Sequence, residues 1–221
     1  MKKKTLLISF YSLDLNSYSL INYWPIKNSS INDFAGSANM TYGPNVALTS
    51  DRFNNPNSAL DFQSGYNSIP SGVYFNGDFT VSVWINYNQN AQWARVLEIS
   101  NSQADVVTMH ASWSSTGFPG ISITIAPGNF RDTSSSPALQ TGRWYHVVYG
   151  LCGATARIYV DGQLKVTGGQ LRPTNVNRTT NFIGGNSYGQ ANLNAKLDEL
   201  RIYNRCMSQS EIMNLFNYVN A

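Results

Sequence analysis

The sequence predicts an all-β fold, an antiparallel jelly-roll β-sandwich that ends in one short helix. Segments in which apolar and polar residues alternate recur along the 221 residues, as in strands that bury one face. Turn residues separate these segments, and a helical pattern occurs at the C-terminus alone. A parallel sheet would need a helix between successive strands, so the strands are expected to be antiparallel.

Residues 79–87, 120–125 and 156–160 show the alternation most clearly. The dipeptide Asp161-Gly162 follows the third segment and supplies the two positive φ angles of a type I′ turn. The sequence therefore predicts a tight hairpin around this dipeptide.

The helical pattern covers Ser208 to Tyr218. Ser208 and Glu211 have the spacing of a capping box, which predicts that the helix begins at Ser208. Four apolar residues fall on one stripe, so we expect this helix to pack on a sheet. The stripe consists of Ile212, Leu215, Phe216 and Val219.

Composition predicts one self-sufficient domain. A chain of 221 residues, of which 42% are hydrophobic, can bury roughly 70% of its unfolded surface without a disulfide scaffold or a structural metal. Its apolar runs are shorter than the ~20 residues that cross a bilayer, which argues against a transmembrane protein. Setting aside Lys2, Lys3 and Lys4 leaves 12 basic and 12 acidic residues, so no nucleic-acid partner is expected.

Residues 1–18 are expected to extend a domain formed by residues 19–221. Lys2 to Lys4 precede the apolar segment Thr5 to Tyr11, the order found in secretory signals. However, Asp14 follows closely, and no cleavage site of small residues stands out. The extension is therefore either a signal remnant or an additional first strand.

Eight short segments follow one another in an order that is more specific than any of them alone. This order resembles a laminin-G-like domain of the concanavalin A-like lectin/glucanase type, over about residues 19 to 217. The segments are Tyr23-Trp24-Pro25-Ile26, Asp33-Phe34-Ala35-Gly36, Asn57 to Phe62, Gly77 to Ile85, Gly142 to Val147, Ile158 to Gly162, Phe182-Ile183-Gly184, and Leu197 to Arg205 leading to Ser208.

The resemblance implies an extracellular or cell-surface recognition module, often with one calcium ion, although the same fold hosts other activities. The expected partner is a glycan or a glycosylated protein. The alternatives are an adhesion or structural module that binds a protein, and a polysaccharide lyase or glycoside hydrolase. Three sequons, at Asn28, Asn39 and Asn177, would accept glycans in an exported protein.

The sequence argues against catalysis. Retaining glucanases use two carboxyl groups ~5 Å apart, and the glutamates here are Glu98, Glu199 and Glu211. Glu98 has serines at the next same-face positions, and the other two lie on the last strand and in the helix, so no strand carries a pair. His110 and His146 lack a metal-ligand partner at short spacing, and neither cysteine lies in a motif that activates a thiolate.

Loop positions predict a binding site at one end of the sandwich. If the strands from Phe79 onward form a meander, successive loops alternate between the two ends. One end then receives loops 88–93, 113–118, 151–153 and 168–178, with Trp93, Trp113, Phe118 and Arg172. The other end receives loops 100–104, 127–142 and 184–192, with Phe130, Arg131, Asp132 and Tyr188.

The end with Trp93 and Trp113 is the preferred ligand site, with Phe118 and Arg172 as further contacts. Indole rings on loops suit sugars, because the CH faces of a pyranose pack on an aromatic plane. The alternative is that both rings fold back on the core. Trp84 is a further candidate: it is either a sugar platform on an open strand face or is packed beneath a loop that crosses the sheet.

Asp33 and Asp198 are the candidate metal ligands, and Ca²⁺ is the expected cofactor, since these positions match those where the resembling family often binds calcium. Alternation places Asp198 on the side of Leu200 and Ile202, where an unpaired carboxylate is costly to bury. Calcium takes about six to eight oxygens, and Asp33 could supply a second carboxylate. Alternatively, Asp198 pairs with an arginine or with backbone N–H groups, and Asp33 forms an Asx turn.

The alternation of loops also places Cys152 and Cys206 at one end. A disulfide is allowed there if their Cα atoms lie roughly 4.4–6.8 Å apart. Two free thiols are the alternative, because the sequence does not establish the redox compartment.

Overall fold

A computed structural model describes residues 19–218. The expected extension, residues 1–18, lies outside the described residues. The described part contains fifteen strands and one helix. They are β1 (Leu20–Trp24), β2 (Thr41–Tyr42), β3 (Val46–Thr49), β4 (Ala59–Gly65), β5 (Asn67–Ser68), β6 (Phe79–Tyr87), β7 (Arg95–Ser100), β8 (Val106–Trp113), β9 (Phe118–Ala126), β10 (Asn129–Ser134), β11 (Trp144–Cys152), β12 (Thr155–Val160), β13 (Gln163–Gly169), β14 (Thr180–Ile183), β15 (Leu193–Tyr203) and α1 (Gln209–Asn217).

Two antiparallel sheets confirm the predicted sandwich. Sheet 1 has the order β13-β12-β11-β6-β15-β4-β3, with β1 paired to β15. Sheet 2 has the order β10-β9-β8-β7-β14-β5-β2. The chain crosses between the sheets after β6 and again after β10, as in a jelly roll.

The core lies between the sheets, because alternate side chains of the paired strands point into that space. Val107 and Met109 of β8 pair in register with Ile123 and Ile121 of β9, and all four belong to the core. Thr108 and His110, which alternate with Val107 and Met109 along β8, therefore face away from sheet 1. This alternation gives sheet 2 a polar outer face.

In the meander predicted from Phe79 onward, the sequence prediction misses one strand. Residues 127–142 are expected to be one loop, but part of that range forms β10, which pairs with β9. Pro127-Gly128 make the turn, with Gly128 at a φ of 75°. Because β10 adds one strand to the meander, each later loop lies at the end of the sandwich opposite to the predicted one. The predicted positions of the loops after β10 are therefore wrong.

Hydrogen bonds locate the reversed loops. The Leu139 N–H donates to the carbonyl of Gly117, which puts loop 135–143 at the end that carries Trp93. The Gly153 N–H donates to Asp78, which precedes β6, so the β11–β12 turn lies at the opposite end.

The predicted hairpin is confirmed. Asp161 and Gly162 have φ angles of 50° and 73° and join β12 to β13. Such a pair of positive φ angles fits the right-handed twist of the two flanking strands.

The predicted C-terminal helix is confirmed as well, and Val219 of its predicted stripe lies outside the described residues. The Ser208 side chain accepts from the Glu211 N–H, and the Glu211 side chain accepts from the Ser208 backbone, which completes the capping box. Ile212 and Leu215 are buried on the outer face of sheet 1. Among the described residues, no helix is long and apolar enough to cross a membrane.

A bulge in β15 overturns the predicted side of Asp198. Glu199 has a φ of 56°, and the register of β15 against β6 shifts between Asp198 and Arg201. Asp198 therefore stands opposite Trp84 on the outer face of sheet 1, whereas Leu200 lies in the core. Strict alternation fails here because a bulge inserts one residue into the strand.

Cys152 and Cys206 form a disulfide bond, with their Cα atoms 5.2 Å apart. Cys152 ends β11 and Cys206 follows β15, and these strands flank β6 in sheet 1. The bond therefore fastens three neighbouring strands at the end opposite to Trp93.

Candidate functional site

A groove lined by aromatic side chains lies on the outer face of sheet 2. Its volume is about 420 Å³, within the range of about 300–1,000 Å³ typical of small-ligand sites. Residues of strands β7 to β10 and of loop 184–192 line it. Its aromatic residues are Trp93, Trp113, Phe130 and Tyr188.

Trp93 and Trp113 contact each other at one end of this groove. Their ring centroids are 4.5 Å apart and their planes meet at 77°. The Trp93 N–H donates to the Ser114 carbonyl at 2.7 Å. Trp93 has a φ of 58°, a backbone conformation that a bulky residue keeps only when its surroundings hold it. On β9, Gly120 lies beneath the Trp113 indole, and a Cβ there would lie 3.4 Å from the ring, in ordinary van der Waals contact.

Three polar residues on adjacent strands form the floor of the groove. His110 Nε2 lies 2.7 Å from Ser122 Oγ, and the Ser122 side chain hydrogen-bonds Asp132. A hydroxyl has one hydrogen, so a Ser122 that donates to Asp132 accepts from the His110 Nε2–H. His110 Nδ1 is then an acceptor, and it has no hydrogen-bond partner among the described residues.

Burial sets the charge of these groups. Desolvation, with a smaller effect of the Arg95 charge, lowers the pKa of His110 to about 3, so its ring is neutral at pH 7. Desolvation raises the pKa of Asp132, and the hydrogen bond from Ser122 opposes this shift. In the chain of hydrogen bonds from His110 to Ser122 to Asp132, the serine lies between the histidine and the acid. In a hydrolytic triad the histidine lies between the serine and the acid, so these residues do not form one.

Arg95 connects β7 to the rest of the groove. Its Nε lies 2.8 Å from Glu98 Oε2 in a buried ion pair. Its Nη1 donates to the carbonyl of Trp93 at 3.0 Å, and its Nη2 donates to Gln190 Oε1 at 2.6 Å. One guanidinium thus holds both the Trp93 backbone and loop 184–192.

Loop 184–192 closes one side of the groove through two further contacts. The Ser187 N–H and Oγ both donate to Glu98 Oε1, at 2.8 and 2.7 Å. The Tyr188 hydroxyl donates to the Gln103 carbonyl at 3.2 Å. These bonds fix Tyr188 in the lining of the groove.

The structure brings the two predicted tryptophans, Trp93 and Trp113, into one site. Phe118 stands opposite Trp113 in the β8–β9 register but does not line the groove. Arg172 lies at the other end of the sandwich, where its Nη1 donates to Asp78 at 2.9 Å. The position predicted for Arg172 is wrong because β10 reverses the later loops.

Trp84 lies on sheet 1 and is packed rather than open. Phe216 of α1 stacks on it with ring centroids 5.8 Å apart and an interplanar angle of 22°. The Arg52 guanidinium lies 4.5 Å from the centre of the Trp84 ring. Of the two predicted alternatives, the structure shows the packed one. Trp84 is covered by α1 and by Arg52.

Asp33 and Asp198 lie in separate hydrogen-bond networks. Asp33 accepts from the Asn22 side chain and from four backbone N–H groups, which engage both of its oxygens. Burial alone would raise the pKa of Asp33, but these bonds lower it. Asp198 Oδ2 pairs with Arg52 Nη1 at 2.8 Å.

A calcium ion shared by these two carboxylates does not fit the arrangement. Arg52 supplies the positive charge beside Asp198, and Asp33 already accepts five hydrogen bonds. Within residues 19–218, no group of three His, Cys, Asp or Glu side chains is placed to hold a metal ion. Burial, together with the Glu199 charge, raises the pKa of Asp198, and the neighbouring Arg52 opposes this shift. Calcium binding by the chain stays a prediction.

Sequence reasoning misses His110 and Ser122 as groove residues because, apart from Trp84, it seeks binding residues on loops. The alternation of Val107 and Met109 with polar neighbours already indicates a polar face on β8. Pro127-Gly128 is a further signal, since such a dipeptide between two extended segments favours a hairpin. Together, these signals indicate the strands that carry His110 and Asp132.

The fold and the groove define the class of protein: a jelly-roll β-sandwich domain with a ligand-sized groove on one sheet. A family model described as the concanavalin A-like lectin/glucanases superfamily matches residues 61–213. The chain belongs to this superfamily, as the resemblance predicts. No curated protein matches it by sequence.

Solved structures share the fold at low sequence identity. Domain 4 of AbnA, a GH43 extracellular arabinanase from Geobacillus stearothermophilus in complex with arabinotriose, is 16% identical with a TM-score of 0.75; the match covers 89% of this chain and 98% of that domain. The binding domain of Paraclostridial Mosquitocidal Protein 1 is 17% identical with a TM-score of 0.71, over 91% of this chain and 52% of that one.

A structure of botulinum neurotoxin type C, whose cell entry depends on two ganglioside molecules, is 15% identical with a TM-score of 0.71. The match covers 93% of this chain and 52% of that one, so the chain spans about half the length of these toxin structures. Identities this low show the fold alone.

Proposed function

We propose that this chain is a non-catalytic domain that binds carbohydrate in the groove on the outer face of sheet 2. The observation that carries the proposal is the contact of Trp93 with Trp113 above a polar floor. Sugar rings pack their CH faces on aromatic planes, while their hydroxyls bond neighbouring polar groups. The two indoles provide the planes, and Ser122, Asp132 and Gln190 provide the polar partners.

Solved structures of the same fold support carbohydrate as the ligand class. One such domain holds arabinotriose, and the cell entry of another such protein depends on gangliosides. A fold alone does not define a ligand, so the proposal rests on the groove. A glycosylated protein would present the same chemistry to the same groove.

The state of the glutamates supports binding without turnover. A retaining glycosidase needs two carboxyl groups ~5 Å apart, one of them able to give and take a proton. Each glutamate here is engaged with an arginine. The pairs are Glu98 with Arg95, Glu199 with Arg201, and Glu211 with Arg205.

The disulfide supports a location outside the cell. Bonds such as Cys152–Cys206 persist in oxidising compartments and are rare in the cytosol. We therefore propose an extracellular or cell-surface setting for the domain, as the resemblance implies.

A glycan array tests the proposed function directly. The full chain should bind a subset of glycans, and Phe130→Ala should weaken that binding because Phe130, 58% exposed, lines the groove. Phe34→Ala is the matched control, since Phe34 is 62% exposed and lies outside the groove. Failure of the folded chain to bind any glycan, at concentrations up to the millimolar range, would refute the proposal.

A further inference from the structure

The charges of the groove indicate what kind of glycan it takes. Among the residues that line it, Arg95 and Asp132 are the charged ones. The Arg95 side chain is 5% exposed, and its charge is balanced by Glu98, which is 0% exposed. Its guanidinium also donates to Trp93 and Gln190, so it offers little to an incoming carboxylate.

Asp132 is the acidic residue of the groove, and no ion pair among the described residues includes it. It is half-buried on β10, and the Ser122 hydroxyl donates to it. An ionised carboxylate accepts hydrogen bonds from sugar hydroxyls, which are neutral donors. The same group repels a second carboxylate, and this repulsion is strong where both charges are partly desolvated.

Trp93 and Trp113 lie at one end of the groove, and Phe130 lies at the other. Phe130 lies in the same row across the sheet as Val106, and His110 follows four residues later on β8. At ~3.3 Å per residue, these rows are roughly 13 Å apart. The rings of Trp93 and Trp113 contact the ring of His110, with centroids 5.6 and 5.4 Å away. A single pyranose is too small to contact both ends.

Building on the proposed carbohydrate function, we propose that the groove selects an uncharged oligosaccharide of at least two sugar units lying along β8, and discriminates against sugars that carry carboxylates. The indole pair holds one end of the ligand, and Phe130 holds the other. Asp132 accepts hydrogen bonds from sugar hydroxyl groups near the centre of the groove. Its negative charge repels the carboxylates of acidic sugars.

Calorimetric titration of the full, disulfide-bonded chain with matched trisaccharides tests this selection. The neutral probes are cellotriose, galactotriose, mannotriose and arabinotriose, and the acidic probes are the uronic-acid counterparts of the first three. A neutral probe should bind at least about tenfold more tightly than its acidic counterpart, since like-charge contact costs several kcal/mol. The neutral trisaccharide should also bind at least about tenfold more tightly than its monosaccharide, because the latter reaches one aromatic end only.

Two variants separate the charge of Asp132 from other effects. Asp132→Asn should reduce the difference in affinity between a neutral probe and its acidic counterpart. Asp78→Asn is the control: it makes the same charge change at the opposite end of the sandwich, where Asp78 pairs with Arg172. It should leave the difference in affinity between neutral and acidic probes unchanged. Thermal melting of both variants confirms that they fold.

The outcomes distinguish this inference from the function on which it rests. An acidic probe that binds as tightly as its neutral counterpart, or a monosaccharide that equals the trisaccharide, overturns the inference and leaves carbohydrate binding intact. If Asp132→Asn leaves the difference in affinity unchanged, the Asp132 charge is not what discriminates against acidic sugars. A chain that binds no probe of either kind, and nothing on the array, overturns the proposed function and the inference with it.

Discussion

Arg52 reaches Asp198 across the outer face of sheet 1, with Nη1 2.8 Å from Oδ2 and both side chains at most 7% exposed. The same guanidinium lies over Trp84 and donates to the carbonyl of Tyr218, just after α1. One buried ion pair therefore joins the β3–β4 loop, the bulge of β15 and the end of the helix.

Removing one partner of this pair should be strongly destabilising. Arg52→Gln is expected to lower the free energy of unfolding by about 3–5 kcal/mol, because it leaves the Asp198 charge buried without compensation. Asp198→Asn in the same chain should recover part of that loss, since no charge then remains to be compensated. Urea unfolding of both single variants and the double variant measures the coupling, and strictly additive losses would contradict the pairing.

Calcium should not stabilise the wild-type chain through Asp33 and Asp198. A ligand present at 100 times its Kd adds about 2.7 kcal/mol, which for a chain of this size would raise the Tm by roughly 5–10 °C. We expect any difference in Tm between millimolar calcium and EDTA to be the same in the wild type and in Asp198→Asn, because Arg52 and backbone N–H groups already hold the two carboxylates. A calcium-dependent rise that is lost in Asp198→Asn would show that the ion binds at this carboxylate despite these contacts.

The two histidines should stay neutral well into the acid range. Desolvation lowers the pKa of His110 to about 3, helped by Arg95, and lowers that of His146 to about 3, helped by Arg201 and Arg52. Below pH ~6.5 the unfolded chain takes up these protons and the folded chain does not, so stability falls as the pH drops from about 6.5 towards 3. The imidazole NMR signals of a tag-free chain should not titrate between pH 8 and 5, and a midpoint near 6.5 for either ring would refute its burial.

The disulfide should contribute substantially to stability. Its cysteines are 54 residues apart, and closing a loop of that length in the unfolded chain is worth about 4 kcal/mol in the chain-entropy description. Replacing both cysteines by serine should lower the unfolding free energy by an amount of this order, measured by urea unfolding. A reductant should shift the wild-type curve towards that of the double variant, and no change in either experiment would mean that the bond does not form.

The sandwich, the Asp161-Gly162 hairpin and the helix after Ser208 are predictable because their signals are local. Alternation, a turn dipeptide and a capping box each act over a few residues. β10 escapes the same reasoning because it is an edge strand whose first residues, Asn129 to Arg131, are exposed. Missing that one strand misplaces Arg172, although the residues around it are recognised correctly.

The bulge at Glu199 has no local signal, since glutamate does not favour a positive φ. It decides which face Asp198 occupies, and therefore that Arg52 becomes its partner. The groove is predictable in part: Trp93 and Trp113 stand out as large rings on loops. Their contact with a floor supplied by strands depends on how sheet 2 is assembled.

The indole N–H signals of the five tryptophans test the central claim most directly. A ¹⁵N NMR titration with the tightest-binding neutral trisaccharide of the panel should shift the signals of Trp93 and Trp113, each assigned by a Trp→Phe variant. The signals of Trp24, which is 0% exposed, and of Trp84, which is packed beneath α1, should stay in place. Saturation of the chain with no change at Trp93 or Trp113, or with changes confined to Trp84 or Trp144, would contradict binding in the groove of sheet 2.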